Sequence, residues 1–410
     1  MGQSILGMGA FCLIPILFSE NRKQISFLTV TICIALQFVL AWMLLKIQPI
    51  QTILLSIGSM AETIEQASLA GTSYIFGYLG GASIPFVQSG QGSTLIIAFR
   101  ILPIILVMSA LSAVLFHWRI IPATIHGLSF ILRKLLPVNG LESFIVASSL
   151  FFGIVEAPLL IRPYIQSMSR QALFLLMTAG MSTVAGTVLI LYASQLSNLI
   201  ENPIGHLIIA SVISLPAAIL ITHLWMPADK KSNAPVPILP RTTQSTLHAL
   251  VTGTEDGIRV ILSVIGMMIV LFACIHIINS LIQTATSHVF SLENLLAFLL
   301  RPVAWLMGIS DADIIPATQL LSTKLLFNEF VAYQQMSSSD FATMSAHSNL
   351  IIVYALCGFA NCASTGLLIS AISAMAPEQT KEVVALAPRA MIAGFIATCM
   401  TGTVAGIILS

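Results

Sequence analysis

The sequence predicts an all-α polytopic membrane protein with eight transmembrane helices and two re-entrant helical hairpins. Three observations predict it. Only 8% of the 410 residues are charged and 57% are hydrophobic, against roughly 25% charged in an average soluble domain, so a water-soluble surface cannot be built. Apolar runs of the ~20 residues that span a hydrocarbon core about 30 Å thick recur along the whole chain. Two further segments are moderately apolar, are interrupted by Gly or Pro, and each hold a glutamate at membrane depth, Glu156 and Glu329.

Hydropathy places helix 1 near residues 3–19 and helix 2 near 25–45. The first of these has no basic region ahead of it and no small-residue cleavage site, and Arg22 and Lys23 follow it, so it is expected to be retained rather than cleaved. The stretch from Gln51 to Gly77 is amphipathic and expected at the interface. Helix 3 runs from about Thr94 to Trp118, and residues 120–136, with His126, Arg133 and Lys134 on a polar side, are again interfacial. Spans follow at 171–195 and 203–226. The segment Pro227 to Gln244 is rich in prolines and charges and is read as a linker. Spans near 259–284, 349–375 and 386–409 complete the eight.

Cytoplasmic loops are enriched in Lys and Arg. Arg22, Lys23, Arg119, Arg133, Lys134, Lys230, Lys231, Arg241, Lys381 and Arg389 fall on one side if both termini lie outside, with Lys46 as the exception. The net charge of +1 offers no patch for nucleic acid. The six cysteines are scattered singly in apolar segments, without metal-ligand or paired spacing, and are expected to be packing residues. No HExxH, GxSxG, P-loop or Gly-rich dinucleotide turn is present, so no enzyme class is indicated.

Residues 140–168 and 311–336 are expected to re-enter the membrane as hairpins, because non-helical backbone at that depth is tolerated only against protein or a cavity. The first holds Glu156 and precedes a helix broken at Ser182-Thr183-Val184-Ala185-Gly186. The second holds Glu329 and precedes a helix broken at Gly358-Phe359-Ala360-Asn361. The crossings between them turn the second unit upside down relative to the first. Interrupted segments at matching places in two halves point to a transporter's binding site.

A carboxylate at membrane depth costs at least about 2.5–3.5 kcal/mol, so Glu156 and Glu329 are the first functional candidates; the alternative is an ion pair with Arg162 or Lys324. Asn361 and Ser364 sit at a helix break where they can face a polar solute or bridge helices. Thr183 marks the matching break, whose carbonyls suit a sodium ion. Arg100, inside helix 3, is read as an anchor and His276 as a packing histidine.

At these residues the chain resembles the concentrative nucleoside transporter family over nearly its whole length. The matching stretches are AFRILP from Ala98, ESF from Glu142, EAPLLIRPY from Glu156, MSTVAGTVL from Met181, NEFVAY from Asn328 and GFANCAS from Gly358. The resemblance implies a homotrimer in a bacterial inner membrane, with an inverted-repeat transport domain moving on a scaffold. It implies a scaffold in residues 1–138, a first transport repeat in 139–226, linker and scaffold helix 6 in 227–310, and a second repeat in 311–410.

The resemblance also implies site roles. Gly153, Ile154, Val155 and Glu156 form the tip that reads the base, Val188 lies beside the base, Glu329 holds the ribose hydroxyls, and Phe359, Asn361 and Ser364 contact the nucleoside. Ser149, Phe152, Thr183 and Val184 match a coupling-ion site. Two departures stand out: Ile154 and Val155 replace a usual polar pair, and Ser149 replaces a usual Asn. The first alters base recognition and leaves open a more apolar or non-nucleoside solute, or a sensor without net transport. The second, with apolar neighbours that disfavour a charged Glu156, makes Glu156 a candidate carrier of a coupling proton in place of sodium. No cofactor is expected beyond that proton or sodium ion.

Overall fold

The computed structural model describes residues 2–86, 96–227, 235–237, 239, 243–285, 290–337, 341 and 344–409. Most of the linker, including Lys230, Lys231 and Arg241, and the first turn of expected helix 3 at Thr94 lie outside the described residues. No strand occurs among the described residues.

Among the described residues, four α-helices precede the first hairpin region and a fifth leads into it. These are α1 (Gly2–Leu17), α2 (Phe27–Lys46), α3 (Gln48–Phe76), α4 (Ile104–His117), entered through a π-turn at Ile97–Ile101, and α5 (Ile120–Leu135). The first repeat then comprises a hairpin of α6 (Gly140–Ser149), α7 (Glu156–Leu160) and α8 (Arg162–Ile165), a broken helix of α9 (Arg170–Ser182) and α10 (Gly186–Leu196), and α11 (Pro203–Trp225). A single long helix, α12 (Thr246–Ala285), and α13 (Leu292–Leu306) lead to the second repeat. Its hairpin is α14 (Ile314–Leu326) and α15 (Glu329–Met336), its broken helix α16 (Ala346–Leu356) and α17 (Cys362–Met375), and its last helix α18 (Thr380–Leu409).

Among the described residues, six helical stretches are long and apolar enough to cross a membrane, including Arg170–Leu196 taken across its break. The shorter apolar helices α1, α16 and α17 occupy the other two expected crossings. Three crossings separate the two hairpins, an odd number, so the repeats are inverted. Each repeat is introduced by an amphipathic helix packed on its hairpin: α5 on α6, and α13 on α14. Hydropathy alone gives no element at α13; the repeat itself calls for one.

Polar residues three positions before a helical N–H start many of these elements, as a side-chain oxygen there satisfies an otherwise orphaned donor. Ser26, Ser169, Ser291, Asn328, Ser345 and Asn361 all cap this way. Asn139 and Glu142 form a full capping box at the start of the first hairpin.

The core is the bundle of α9, α11, α16 and α18, and α2 packs on both α11 and α18. By contrast α4 and α12 pack chiefly on each other, and α10 touches α4. Within the first 138 residues, α2 thus packs on α11 and α18, whereas α4 packs on α12. In the apolar window of α12 only 6% is buried within this chain, and His276 is exposed on it rather than buried in the core. Cys33, Cys357 and Cys399 are buried packing residues as expected, whereas Cys274 and Cys362 are exposed. Arg100 is exposed too; its Nε would lie 3.4 Å from a Cβ built on Gly81, at the turn after α3.

The second hairpin is tied to α16 at its base. The Asp313 carboxylate accepts from Ser310 Oγ at 2.6 Å, Ser345 Oγ at 2.7 Å and Ser345 N at 3.2 Å. Burial would push this carboxyl up, but the hydroxyls of Ser310, Ser348 and Ser345 and the Ser345 N–H outweigh it and hold it below its ordinary value. The stability it contributes is thus present above the unfolded value of about 3.9 and lost as pH falls through the lower folded one. Asp313→Ala is expected to cost about 1.5–3 kcal/mol, the scale of hydrogen bonds to a charged group, read as a lower melting temperature in detergent at neutral pH.

Candidate functional site

Both helix breaks are buried where a hairpin tip meets them. In the first repeat α9 ends at Ser182, Thr183 is extended (φ −125, ψ 166), and α10 resumes at Gly186. The tip is stitched to this break: Thr183 Oγ1 lies 2.8 Å from Ser149 O and 2.9 Å from Ala179 O, and Gly186 N donates to Phe151 O at 3.1 Å. Ser149 turns its own hydroxyl back to Val146 O at 2.8 Å. Val184 is fully buried. The Phe152 ring lies edge-on to Phe116 of α4, with centroids 5.9 Å apart.

Glu156 opens α7 and reaches back to accept the Gly153 N–H at 3.0 Å. A Cβ on Gly153 would sit 3.2 Å from Ala185 Cβ, 3.6 Å from Phe359 Cε2 and 3.9 Å from Glu156 Oε2. Gly153, Glu156 and Phe359 therefore converge at the first tip. Ile154 does not face that group: it is buried and abuts Gly180 of α9, with its Cγ2 3.2 Å from a Cβ built there. Of the two apolar substitutions at the tip, only Val155 is left partly exposed.

The second repeat supplies the other group. Glu329 is the first residue of α15, and its carboxylate accepts from Asn361 Nδ2 at 2.8 Å and from the Tyr192 hydroxyl at 2.5 Å. Asn361 is held by its other end, because Oδ1 caps α17 on Ser364 N at 2.7 Å. The hydrogen-bond pattern also settles the amide's orientation. Val188 lies one turn before Tyr192 on the same face of α10. Phe359, two residues ahead of Asn361, connects the two groups.

Neither glutamate makes an ion pair among the described residues, where the ion pairs join Arg170 to Glu20 and Glu382, and Arg389 to Glu20. Lys324 is fully buried, yet it donates to Ala355 O at 2.6 Å and Thr398 Oγ1 at 3.0 Å. A pairing of Glu156 with Arg162, or of Glu329 with Lys324, is therefore not what the fold builds. Two neutral donors satisfy Glu329 while leaving lone pairs for a solute.

An acidic cavity of ≈ 480 Å³ lies between α3 and the α10–α11 turn, lined by Glu62, Glu65 and Glu201. None of the residues in the two groups lines it. No cluster of three His, Cys, Asp or Glu suited to a metal ion occurs among the described residues. Tyr192 is not among the residues that the sequence singles out. A tyrosine buried in an apolar half-helix directly after a break is the signal that could have found it, since a buried phenol needs a partner.

Known proteins agree with this architecture. Residues 6–79 and 206–406 match the family models described as Na+ dependent nucleoside transporter N-terminus and C-terminus, and residues 98–199 match a family model described as nucleoside recognition. An Escherichia coli protein that carries the provisional name nucleoside permease NupX is 33% identical over 98% of each chain. The Helicobacter pylori nucleoside permease NupC is 28% identical over 99% of this chain and 97% of its own. The solved structure of CNTnw in an inward-facing substrate-bound state has a TM-score of 0.89 and 29% identity, covering 100% of this chain and 99% of that one. With two inverted repeats, matching breaks and these relatives, the chain is a multi-pass membrane protein that belongs to the Na+-dependent, concentrative nucleoside transporter family, a family of transporters and not of enzymes.

Proposed function

We propose that the chain is a cation-coupled symporter that imports nucleosides by alternating access. The observation that carries this reading is the Glu329 carboxylate, buried at the junction of a hairpin tip and a broken helix and held by Tyr192 and Asn361. Vicinal hydroxyls are donors that such a carboxylate accepts. In this reading Gly153, Val155, Glu156, Val188 and Phe359 face the base, with Ser364 and Asn361 beside the sugar. Ile154 shapes the tip from behind, through Gly180.

The α4–α12 pair serves as the scaffold, and the repeats with α1 and α2 form the moving body. The uncovered apolar length of α12 supports assembly through it, and a homotrimer is the reading taken from the resemblance. Both termini lie outside an inner membrane, in keeping with the Lys and Arg distribution.

Sodium is the leading coupling ion, seated among the Ser149 and Thr183 oxygens, the carbonyls of Phe152 and Val184, and no charged ligand. A second reading places a coupling proton on Glu156. One observation favours it: the Thr183 and Ser149 hydroxyls already bond to carbonyls of this same locus. Uptake of labelled ribonucleosides and nucleobases into proteoliposomes, under an imposed sodium or proton gradient, separates them. Sodium-driven uptake that Thr183→Ala weakens about tenfold or more, the scale of one lost ligand interaction, supports the first. Uptake driven only by protons and lost in Glu156→Gln supports the second. Absence of any ribonucleoside uptake sinks both.

A further inference from the structure

We infer that Tyr192 sets how strongly this transporter distinguishes ribose from deoxyribose, by acting as a built-in hydroxyl donor to Glu329. The inference rests on the reading that Glu329 meets the sugar. Tyr192 belongs to α10 of the first repeat and Glu329 to α15 of the second, and the phenol O–H donates to Oε1 at 2.5 Å. The contact is held in place by α15 itself: the Tyr192 ring lies 5.4 Å from Tyr333 and 6.4 Å from Phe330. Tyr333 in turn is pinned by its own hydroxyl on Val353 O at 2.9 Å. At 3% exposure, water does not compete for the phenol.

Each carboxylate oxygen has two acceptor directions. Tyr192 fills one on Oε1 and Asn361 one on Oε2. A ribose diol takes the two that remain. When one sugar hydroxyl is missing, each oxygen still has a protein donor, so no buried carboxylate oxygen is orphaned. The large penalty for rejecting an analogue comes from such orphaned groups. Tyr192 removes that penalty, and it makes the site tolerant of the deoxy sugar.

Tyr192→Phe deletes only the donor. Ribonucleoside and its 2′-deoxy and 3′-deoxy analogues are compared as competitors of labelled ribonucleoside uptake, in the wild type and in the variant. In the wild type the deoxy analogues are expected to compete within a few-fold of the ribonucleoside. In Tyr192→Phe the analogue lacking the hydroxyl nearest Oε1 is expected to lose about tenfold or more relative to the ribonucleoside, the effect of one unreplaced hydrogen bond to a charged group.

Unchanged ratios in the variant overturn the inference. So does a wild type that already rejects both deoxy analogues by more than about thirtyfold, a result that needs no variant to fold. Glu329→Gln separates the two levels of the argument. If it collapses the ribose preference while Tyr192→Phe leaves it untouched, the sugar-binding reading stands and the Tyr192 role falls. If Glu329→Gln itself leaves the ratios unchanged, the sugar-binding reading is what fails.

Discussion

Glu329→Gln is expected to lower ribonucleoside uptake at least about a hundredfold while the protein still reaches the membrane. The substitution keeps the volume of a fully packed side chain but replaces one acceptor oxygen with an NH2 group. In the fold, Asn361 Nδ2 donates to Oε2 and Asn361 cannot turn over, because its Oδ1 is committed to capping α17. An NH2 at the Oε2 position would face another donor, and at the Oε1 position it would meet the Tyr192 hydroxyl, which must then accept instead. In the proposed reading one sugar hydroxyl then loses its acceptor either way, and the remaining bond loses its charge. Hydrogen bonds to charged groups are worth about 1.5–3 kcal/mol, and each 1.4 kcal/mol is about tenfold. Initial uptake rates normalised to membrane protein test this. Rates within about threefold of wild type would remove Glu329 from the solute.

The positions of the two breaks and the two hairpins were legible because their signals are local. Gly186, Gly358 and the Asn caps punctuate apolar runs that would otherwise continue as helix. Asn328 and Asn361 announce helix starts, and both do cap. What was not legible is what lies across the fold. Nothing near Tyr192 indicates that its hydroxyl meets a carboxylate 137 residues away. The direction of Ile154 was hidden for a different reason: in a tip between helices there is no periodicity to say which side chain turns inward.

The partners of α2 were hidden by uniformity. Apolar residues lie all round α2, with only Thr29 and Gln37 as polar residues on its buried side, and a helix without a broad polar face reveals little of its partner by pattern. Its position on α11 and α18 rather than α4 comes from packing and from the buried Gln37, whose Nε2 donates to Ile213 O of α11 at 3.4 Å. The missed α13 is the opposite case, since its pattern was readable. Once residues 120–136 are taken as an amphipathic lead into the first hairpin, an inverted repeat requires a counterpart before residue 311, and Ser291 caps it.

Gly358→Ala is expected to have the next largest effect, because at Gly358 the two broken helices cross at backbone distance. A Cβ there would lie 2.7 Å from Thr398 Cγ2, 2.9 Å from Met181 O and 3.1 Å from Ser182 C. Two of these obstacles are backbone atoms of the last turn of α9, which no rotamer change can clear. Moving that turn would drag Thr183, and with it the bond that ties the first hairpin to the break at Ser149 O. Thr398 cannot retreat freely either, since its hydroxyl accepts from the buried Lys324. Overpacking a rigid site costs typically about 1–3 kcal/mol, occasionally more. Gly394 on α18 meets the same turn, where an added Cβ would lie 2.5 Å from Met181 Cβ, so Gly394→Ala is expected to behave alike. The matched control is Gly366→Ala in α17, where nothing lies within 4 Å. Melting temperature in detergent and initial uptake should both fall for Gly358→Ala and stay level for Gly366→Ala. Equal behaviour of the two variants would mean that the breaks do not touch, and that the two repeats bring their halves of the site together by some other contact.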